Sequence, residues 1–287
     1  MLTQLSLNKL NEYVPSIEFE SFLFEGGQKK VFKGKLNGKN VVVKFVPINS
    51  KEEFQRINRE ISCMNQIESK NLVKFIKCDN IKVDRQNIVV LIEDYIDGKT
   101  LRNVILNNPS LELSFKLLRT LLELLIKFEE KKIIHRDIKP ENIMVSNGNH
   151  ITLLDFGVAK ILNDVSITNS KSPWAPGTFQ YCAPEQLHNR KLMQDIRTDI
   201  YSCGIVFFET ATGSLPFEQD EFGNLETSIL EGKRKSLKGY FSDHPKINEI
   251  ERFFVRMTNS QPCERFRKPC FALDELKKIM GENDHEK

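Results

Sequence analysis

The sequence predicts an α+β fold in two lobes: a small antiparallel-sheet N-lobe with one helix and a larger, mostly helical C-lobe. Three observations point there. Strand-like runs separated by turn residues fill the first third of the 287 residues. After Asp97-Gly98 the apolar spacing changes to threes and fours. A chain of this length also holds roughly two packing units, at about 150 residues each. The expected arrangement is a single domain over residues 1–287, with an N-lobe of about 15–96 and a C-lobe of about 97–280.

The elements follow in order. Ser21–Lys35 and Asn40–Pro47 read as strands flanking Asn37-Gly38, a strong two-residue hairpin signal. Ser50-Lys51-Glu52-Glu53 has the form of a capping box, with Ser50 accepting from the Glu53 amide while Glu53 reaches back. Phe54, Ile57, Ile61, Met64 and Ile67 then recur at helical spacing. Leu72–Lys77 and Asn87–Tyr95 complete the small sheet. Beyond it, Leu111–Lys132 carries Leu113, Leu117, Leu118, Leu121, Leu125 and Phe128, a long helix facing a core. Ile143–Val145 and Ile151–Leu154 flank Asn147-Gly148 as a second hairpin. Ile200–Thr212, Ile247–Thr258 and Phe271–Met280 read as helices. There is no internal repeat and no low-complexity tract.

Composition excludes several classes. Apolar residues are 40% and charged residues 28%, which excludes a disordered chain, a fibrous repeat and a membrane protein. The net charge is +3 and spread along the chain, so neither a nucleic-acid nor a membrane partner is implied. Six cysteines, at 63, 78, 182, 203, 263 and 270, form no CxxC pair and meet no His at metal-ligand spacing. They read as buried thiols of a reduced chain. No apolar run approaches the roughly 20 residues that span a bilayer, and no leader opens the sequence, so a cytoplasmic protein is expected.

The chemistry concentrates in His135-Arg136-Asp137-Ile138-Lys139-Pro140-Glu141-Asn142. Phosphoryl transfer asks for positioning and charge neutralisation rather than covalent chemistry. An Asp orients a hydroxyl and accepts its proton, a nearby Lys neutralises the migrating group, and an Asn holds a metal ion. Eighteen residues after Asp137, at the end of the second hairpin, stands Asp155-Phe156-Gly157, a carboxylate placed to chelate Mg²⁺. Alone that triplet is a turn; behind the first motif it carries weight.

On these motifs the chain resembles a protein kinase domain of the Ser/Thr type, from about Glu20 to Met280. Ala183-Pro184-Glu185 looks like the close of the activation segment. The APEQ form (Ala183–Gln186) and the run Asp155–Lys160 are most similar to the bacterial, eukaryotic-like branch. In tyrosine-specific members the Lys139 position usually carries another residue. The resemblance implies a two-lobed protein-kinase fold and transfer of the γ-phosphoryl of ATP to Ser/Thr hydroxyls of a protein substrate. It implies Asp137 as base and Lys139 as transition-state partner, and Asn142 and Asp155 as ligands of Mg²⁺, for which Mn²⁺ substitutes. Lys44, ending Val41-Val42-Val43, would hold the α- and β-phosphates, paired with Glu60 on the first helix. Asp199 would open the large buried helix, and Arg265 would pair with Glu185.

The chain departs from the family pattern over the phosphates and the adenine. At the three glycine positions before Val31 stand Phe24, Gly26 and Lys29, with Gly27 beside them. Val42 stands where the family usually has Ala, and Glu93 stands just before the hinge residues Asp94–Ile96 (Asp94 and Ile96 lining the adenine site). A buried Glu there needs a partner or a raised pKa. These changes touch ATP affinity more than chemistry and leave open a pseudokinase scaffold with impaired nucleotide binding. A small-molecule phosphotransferase is disfavoured by Gly177-Thr178, Ala183-Pro184-Glu185 and Arg265, a protein-substrate platform. Arg136 before the catalytic Asp marks, in the family, control by phosphorylation of the activation segment. Its acceptors would be Ser170 or Ser172, autophosphorylated by self-association in trans, with Arg136 and Lys160 receiving the phosphate and Thr178 structural. The run Lys233-Arg234-Lys235 reads either as a docking patch or as solvated charge.

Overall fold

The computed structural model describes residues 7–26, 29–83, 86–154, 179–188, 193–219 and 221–282, apart from the side chains of residues 7–9, 26, 56, 59, 60, 63 and 64. These residues divide into two compact units, one up to Asp97 and one from Gly98.

The first unit holds a five-stranded antiparallel sheet in the order β1-β2-β3-β5-β4. Its strands are β1 (Ile17–Gly26), β2 (Lys29–Leu36), β3 (Lys39–Ile48), β4 (Phe75–Val83) and β5 (Gln86–Asp94). The run expected as one strand from Ser21 to Lys35 is therefore two, breaking where Gly26 pairs with Lys29. Asn37 and Gly38 join β2 to β3 with φ of 51° and 76°, the left-handed pair that a tight hairpin turn requires. β4 begins at Phe75 and runs on to Val83, later than Leu72 and longer than expected. Asp79 and Asn80 look like a turn in sequence, yet an edge strand tolerates polar residues on its open side.

Helix α1 (Leu7–Tyr13) precedes the sheet, where periodicity predicts no element before residue 15. Leu10 and Val14 bury against a sheet face built from Ile17, Phe19, Phe32, Val41, Val43, Phe45, Val90 and Ile92. Phe19, Phe32 and Phe45 meet there with ring centroids 5.6–6.0 Å apart. Helix α2 (Lys51–Met64) packs on β3 and β4. The Ser50 hydroxyl accepts from the Glu53 amide at 3.2 Å, as the capping box predicts. The Glu53 carboxylate, however, accepts from the Asn49 amide at 2.7 Å, one residue earlier than the motif implies.

The second unit is mostly helical: α3 (Leu101–Asn107), α4 (Leu111–Glu130), α5 (Pro184–Leu187), α6 (Ile196–Thr212), α7 (Leu225–Glu231), α8 (Ile247–Met257) and α9 (Pro269–Met280). A small antiparallel sheet is formed by β6 (Lys99–Thr100), β7 (Ile143–Ser146) and β8 (His150–Leu153), the last two following the loop over residues 135–142. Ser110 caps α4 by accepting from the Leu113 amide at 3.2 Å. Helix α4 stops at Glu130, short of Lys132, whose φ of 56° takes the chain out of the helix. Its Leu117, Leu118, Leu121, Leu125 and Phe128 bury wholly against the C-terminal helices, each contributing about 1.5–3 kcal/mol.

Helix α6 is the pillar of this unit, buried along its length except at Arg197 and Thr212. It starts at Ile196 under an Asp195 cap, so Asp199 sits one turn inside rather than opening it. Gly204 lets α8 approach, since a Cβ there would stand 2.6 Å from the Thr258 methyl. Among the described residues no helix is long and apolar enough to cross a membrane. The described cysteines are free thiols; Cys182 and Cys203 are buried as expected, but Cys263 is exposed.

Candidate active site

In the first unit the β ladder collects several of the expected nucleotide residues on one face. Val31 pairs with Lys44 and Lys44 with Leu91; Val42 pairs with Glu93. Directly paired residues share a face, so Val31, Val42, Lys44 and Glu93 all stand opposite the face that α1 covers. Phe24 pairs with Val31 and is half exposed, and Gly26 pairs with Lys29 at the end of the hairpin. Asp94 and Ile96 follow at and beyond the end of β5. Gly27 lies outside the described residues.

Lys44 and Glu93 are both buried, and the Lys44 ammonium donates to Glu93 Oε2 at 2.6 Å. The anomalous Glu93 thus has its partner, the nearest cross-strand diagonal of the same face. Glu60, the expected partner of Lys44, lies in α2 with its side chain outside the described residues.

In the second unit the loop over residues 135–142 is tied at both ends. Asp199, fully buried in α6, accepts from the amides of His135 at 2.7 Å and Arg136 at 2.8 Å. Arg136 is held there at φ 64°, a conformation costing a non-glycine residue about 1–3 kcal/mol unless its surroundings impose it. Gln186 adds a third tie: its amide nitrogen donates to the Arg136 carbonyl at 3.1 Å while its Oε1 accepts from the Ala183 amide. The His135 ring lies against the Leu154 carbonyl at 3.1 Å, and the Leu154 amide donates to the Asn142 carbonyl at 2.7 Å. Loop and β8 are thereby locked together.

That frame presents Asp137. Its Oδ2 receives the Asn142 amide nitrogen at 2.8 Å and stands 3.1 Å from the Lys139 ammonium. The same Asn142 nitrogen donates to the Asp137 carbonyl at 2.9 Å. Two bonds commit the nitrogen and turn the amide oxygen away from the carboxylate, the polarity a hard cation needs from Asn. The donor chemistry of Asn142 therefore fits a magnesium ion. Asp155, the second expected ligand, lies outside the described residues, as do Lys160, Ser170, Ser172 and Thr178.

Farther along, Arg265 and Glu185 form a bidentate pair at 2.7 and 2.9 Å, with Thr198 donating to the same carboxylate at 2.8 Å. The basic run is consumed locally rather than presented as a patch. Arg234 donates to the Val255 carbonyl and Thr258, Lys235 pairs with Glu218, and Lys233 pairs with Glu231.

Sequence motifs missed a polar network around Arg102, which meets Glu141, Tyr181 and Glu209. Burial pushes the Tyr181 phenol well above its usual range, and Glu209 pushes it further. Half-burial works against the Arg102 charge, but its bonds to Glu209 and Glu141 outweigh that and raise its pKa. No local signal marks these residues. For Gln186 a signal existed, a buried amide directly after Ala183-Pro184-Glu185.

Comparisons with known proteins give the family and the fold. The protein kinase domain family model matches residues 17–281. A probable serine/threonine-protein kinase of Clostridium acetobutylicum is 31% identical, over 91% of this chain and 40% of that protein. The serine/threonine-protein kinase PrkC of Bacillus subtilis is 26% identical, over 78% of this chain and 34% of its own length. The chain thus spans about a third to two-fifths of these relatives. The crystal structure of Rad53 1-466 in complex with AMP-PNP superposes with a TM-score of 0.70 at 19% identity, covering 91% of this chain and 64% of that one, a likeness of fold. These matches lend no support to a non-catalytic scaffold.

Proposed function

The chain belongs to the protein kinase domain family, and on that premise we propose that it is a Ser/Thr protein kinase, transferring the γ-phosphoryl of ATP to hydroxyls of a protein substrate. The observation that carries this is the Asp137 carboxylate, held by Lys139 at 3.1 Å and Asn142 at 2.8 Å on a loop locked from behind by Asp199. Asp137 orients the substrate hydroxyl and takes its proton as the oxygen bonds to phosphorus and the bond to the ADP oxygen breaks. Lys139 steadies the charge on the migrating group. Lys44 meets the α- and β-phosphates, exchanging its protein carboxylate for phosphate oxygens. Val31, Val42, Glu93, Asp94 and Ile96 would enclose the adenine, with Phe24, Gly26, Gly27 and Lys29 over the phosphates. Asn142 and Asp155 would hold Mg²⁺, which would neutralise the phosphate charge.

The reading extends to one kinase domain over residues 1–287, in the cytoplasm. There it would autophosphorylate in trans at Ser170 or Ser172, with Arg136 and Lys160 receiving the phosphate. The test is transfer from Mg-ATP to a generic basic protein, with phosphosite mapping of the chain itself. Asp137→Asn is expected to cut turnover by about 10²–10⁴-fold without loss of fold. Near-normal transfer by that variant, or phosphate on neither substrate nor chain in the wild type, overturns the reading.

A further inference from the structure

Arg102, in the first turn of α3, sits inside an acidic pocket beside the catalytic loop. Its Nε donates to Glu141 Oε1 at 2.8 Å, its Nη1 to Glu209 Oε1 at 2.5 Å, and its Nη2 to the Tyr181 hydroxyl. That hydroxyl in turn donates to Glu209 Oε2 at 2.6 Å. Three segments converge on the one cation. Glu141 directly precedes Asn142, whose amide holds Asp137. Tyr181 closes the short turn leading into Ala183-Pro184-Glu185, and Glu209 comes from α6.

The exposures separate two roles within this network. The Glu209 side chain is 6% exposed and needs a cation whatever the protein does. Glu141 is 47% exposed, and an exposed ion pair adds little, so stability does not account for its place here. What Glu141 does is extend the pocket out to solvent, next to the loop that presents Asp137. Stripped of Arg102, this spot would offer two carboxylates and a phenol, the chemistry that binds a guanidinium or ammonium group.

We propose that Arg102 is a specificity-determining residue: it fills from within an acidic subsite that would otherwise take an arginine or lysine side chain of the protein substrate. A substrate reaching Asp137 finds Glu141 and Glu209 already neutralised, so a basic residue at that position brings no advantage. The proposal rests on the kinase reading above.

The test compares serine peptides identical except for Arg or Ala at each position around the acceptor. In the wild type the kcat/KM ratio of each pair is expected to stay within about threefold. In Arg102→Ala one position should favour Arg by about tenfold or more, through KM, the size of a charge-assisted hydrogen bond. Adding Glu141→Gln to that variant should remove the preference. A purely structural Arg102 would slow both peptides alike and leave the ratio unmoved, and that result overturns the proposal. Arg102→Lys is measured alongside, because Lys keeps the charge but loses the three-pronged grip. It should shift the ratio the same way by less, and an unmoved ratio there, if Arg102→Ala does not fold, is equally fatal. Fluorescence anisotropy of the same peptides needs no turnover. If the wild type transfers no phosphate, the kinase reading falls, while tighter binding of the Arg peptide to Arg102→Ala still supports the subsite and equal binding overturns it.

Discussion

Among the described residues, Arg265–Glu185 in one unit and Lys44–Glu93 in the other are buried ion pairs, and the two are built differently. Arg265 and Glu185 are joined bidentately, and the guanidinium donates besides to the carbonyls of Asn259 at 2.7 Å, Arg197 at 3.1 Å and Ser260 at 3.3 Å. Five donor groups meet five acceptors, so this cation has nothing left to offer a ligand. Lys44 and Glu93 meet through one contact of 2.6 Å between adjacent strands, and an ammonium on a flexible stem can swing to another anion without breaking a fixed fork. Two pairs of similar burial therefore serve opposite ends. One is saturated and pins α5 to the loop before α9; the other is arranged for exchange, which suits the phosphate role proposed for Lys44.

The sharpest break of that comparison is in activity. Lys44→Met is expected to lower phosphotransfer by about a hundredfold or more, through misplaced phosphates. Replacing both partners, Lys44→Met with Glu93→Leu, removes the stranded carboxylate and should return unfolding free energy to within about 1 kcal/mol of the wild type, since apolar replacement of a buried pair is often neutral. Activity should stay lost. A double variant that recovers transfer would show that Lys44 does not serve phosphate.

The saturated pair should behave the other way. Arg265→Leu is expected to cost about 3–5 kcal/mol in denaturant unfolding. The matching double variant with Glu185→Leu should not recover, because three backbone carbonyls lose their donor and each costs about 1–3 kcal/mol. Alkylation of Cys203, whose thiol burial holds well above its usual pKa, should accelerate in Arg265→Leu and stay slow in Lys44→Met. Recovery of the double variant to wild-type stability would erase the distinction between the two pairs.

The smallest effect lies over the phosphates. Lys29→Gly is expected to change the ATP KM by about two- to fivefold, the range of a partly exposed charge, with turnover nearly constant. Its sign tells whether the lost cation or the closer backbone approach weighs more. A change confined to turnover would take this hairpin away from the phosphates.

What the sequence determined by itself was what short-range pattern can carry. The division into sheet and helices followed from strand-like runs bounded by turn residues and from apolar spacings of three and four, and the Asn37-Gly38 turn from two residues that tolerate positive φ. Asp137, Lys139 and Asn142 fall within six consecutive residues, so their meeting needs only a local loop. Tertiary structure alone decided the rest. Glu93 became the partner of Lys44 because the sheet places β5 beside β3, 49 residues away. Asp199 reaches the catalytic loop across 63 and 64 residues, and Arg102 reaches its three partners across 39, 79 and 107. Helix α1 forms because an apolar sheet face needs a cover, a demand that seven residues cannot announce. Long-range hydrogen bonds leave no periodicity in the chain; their partners are chosen when packing brings buried charges together and the cost of leaving one unpaired selects the arrangement.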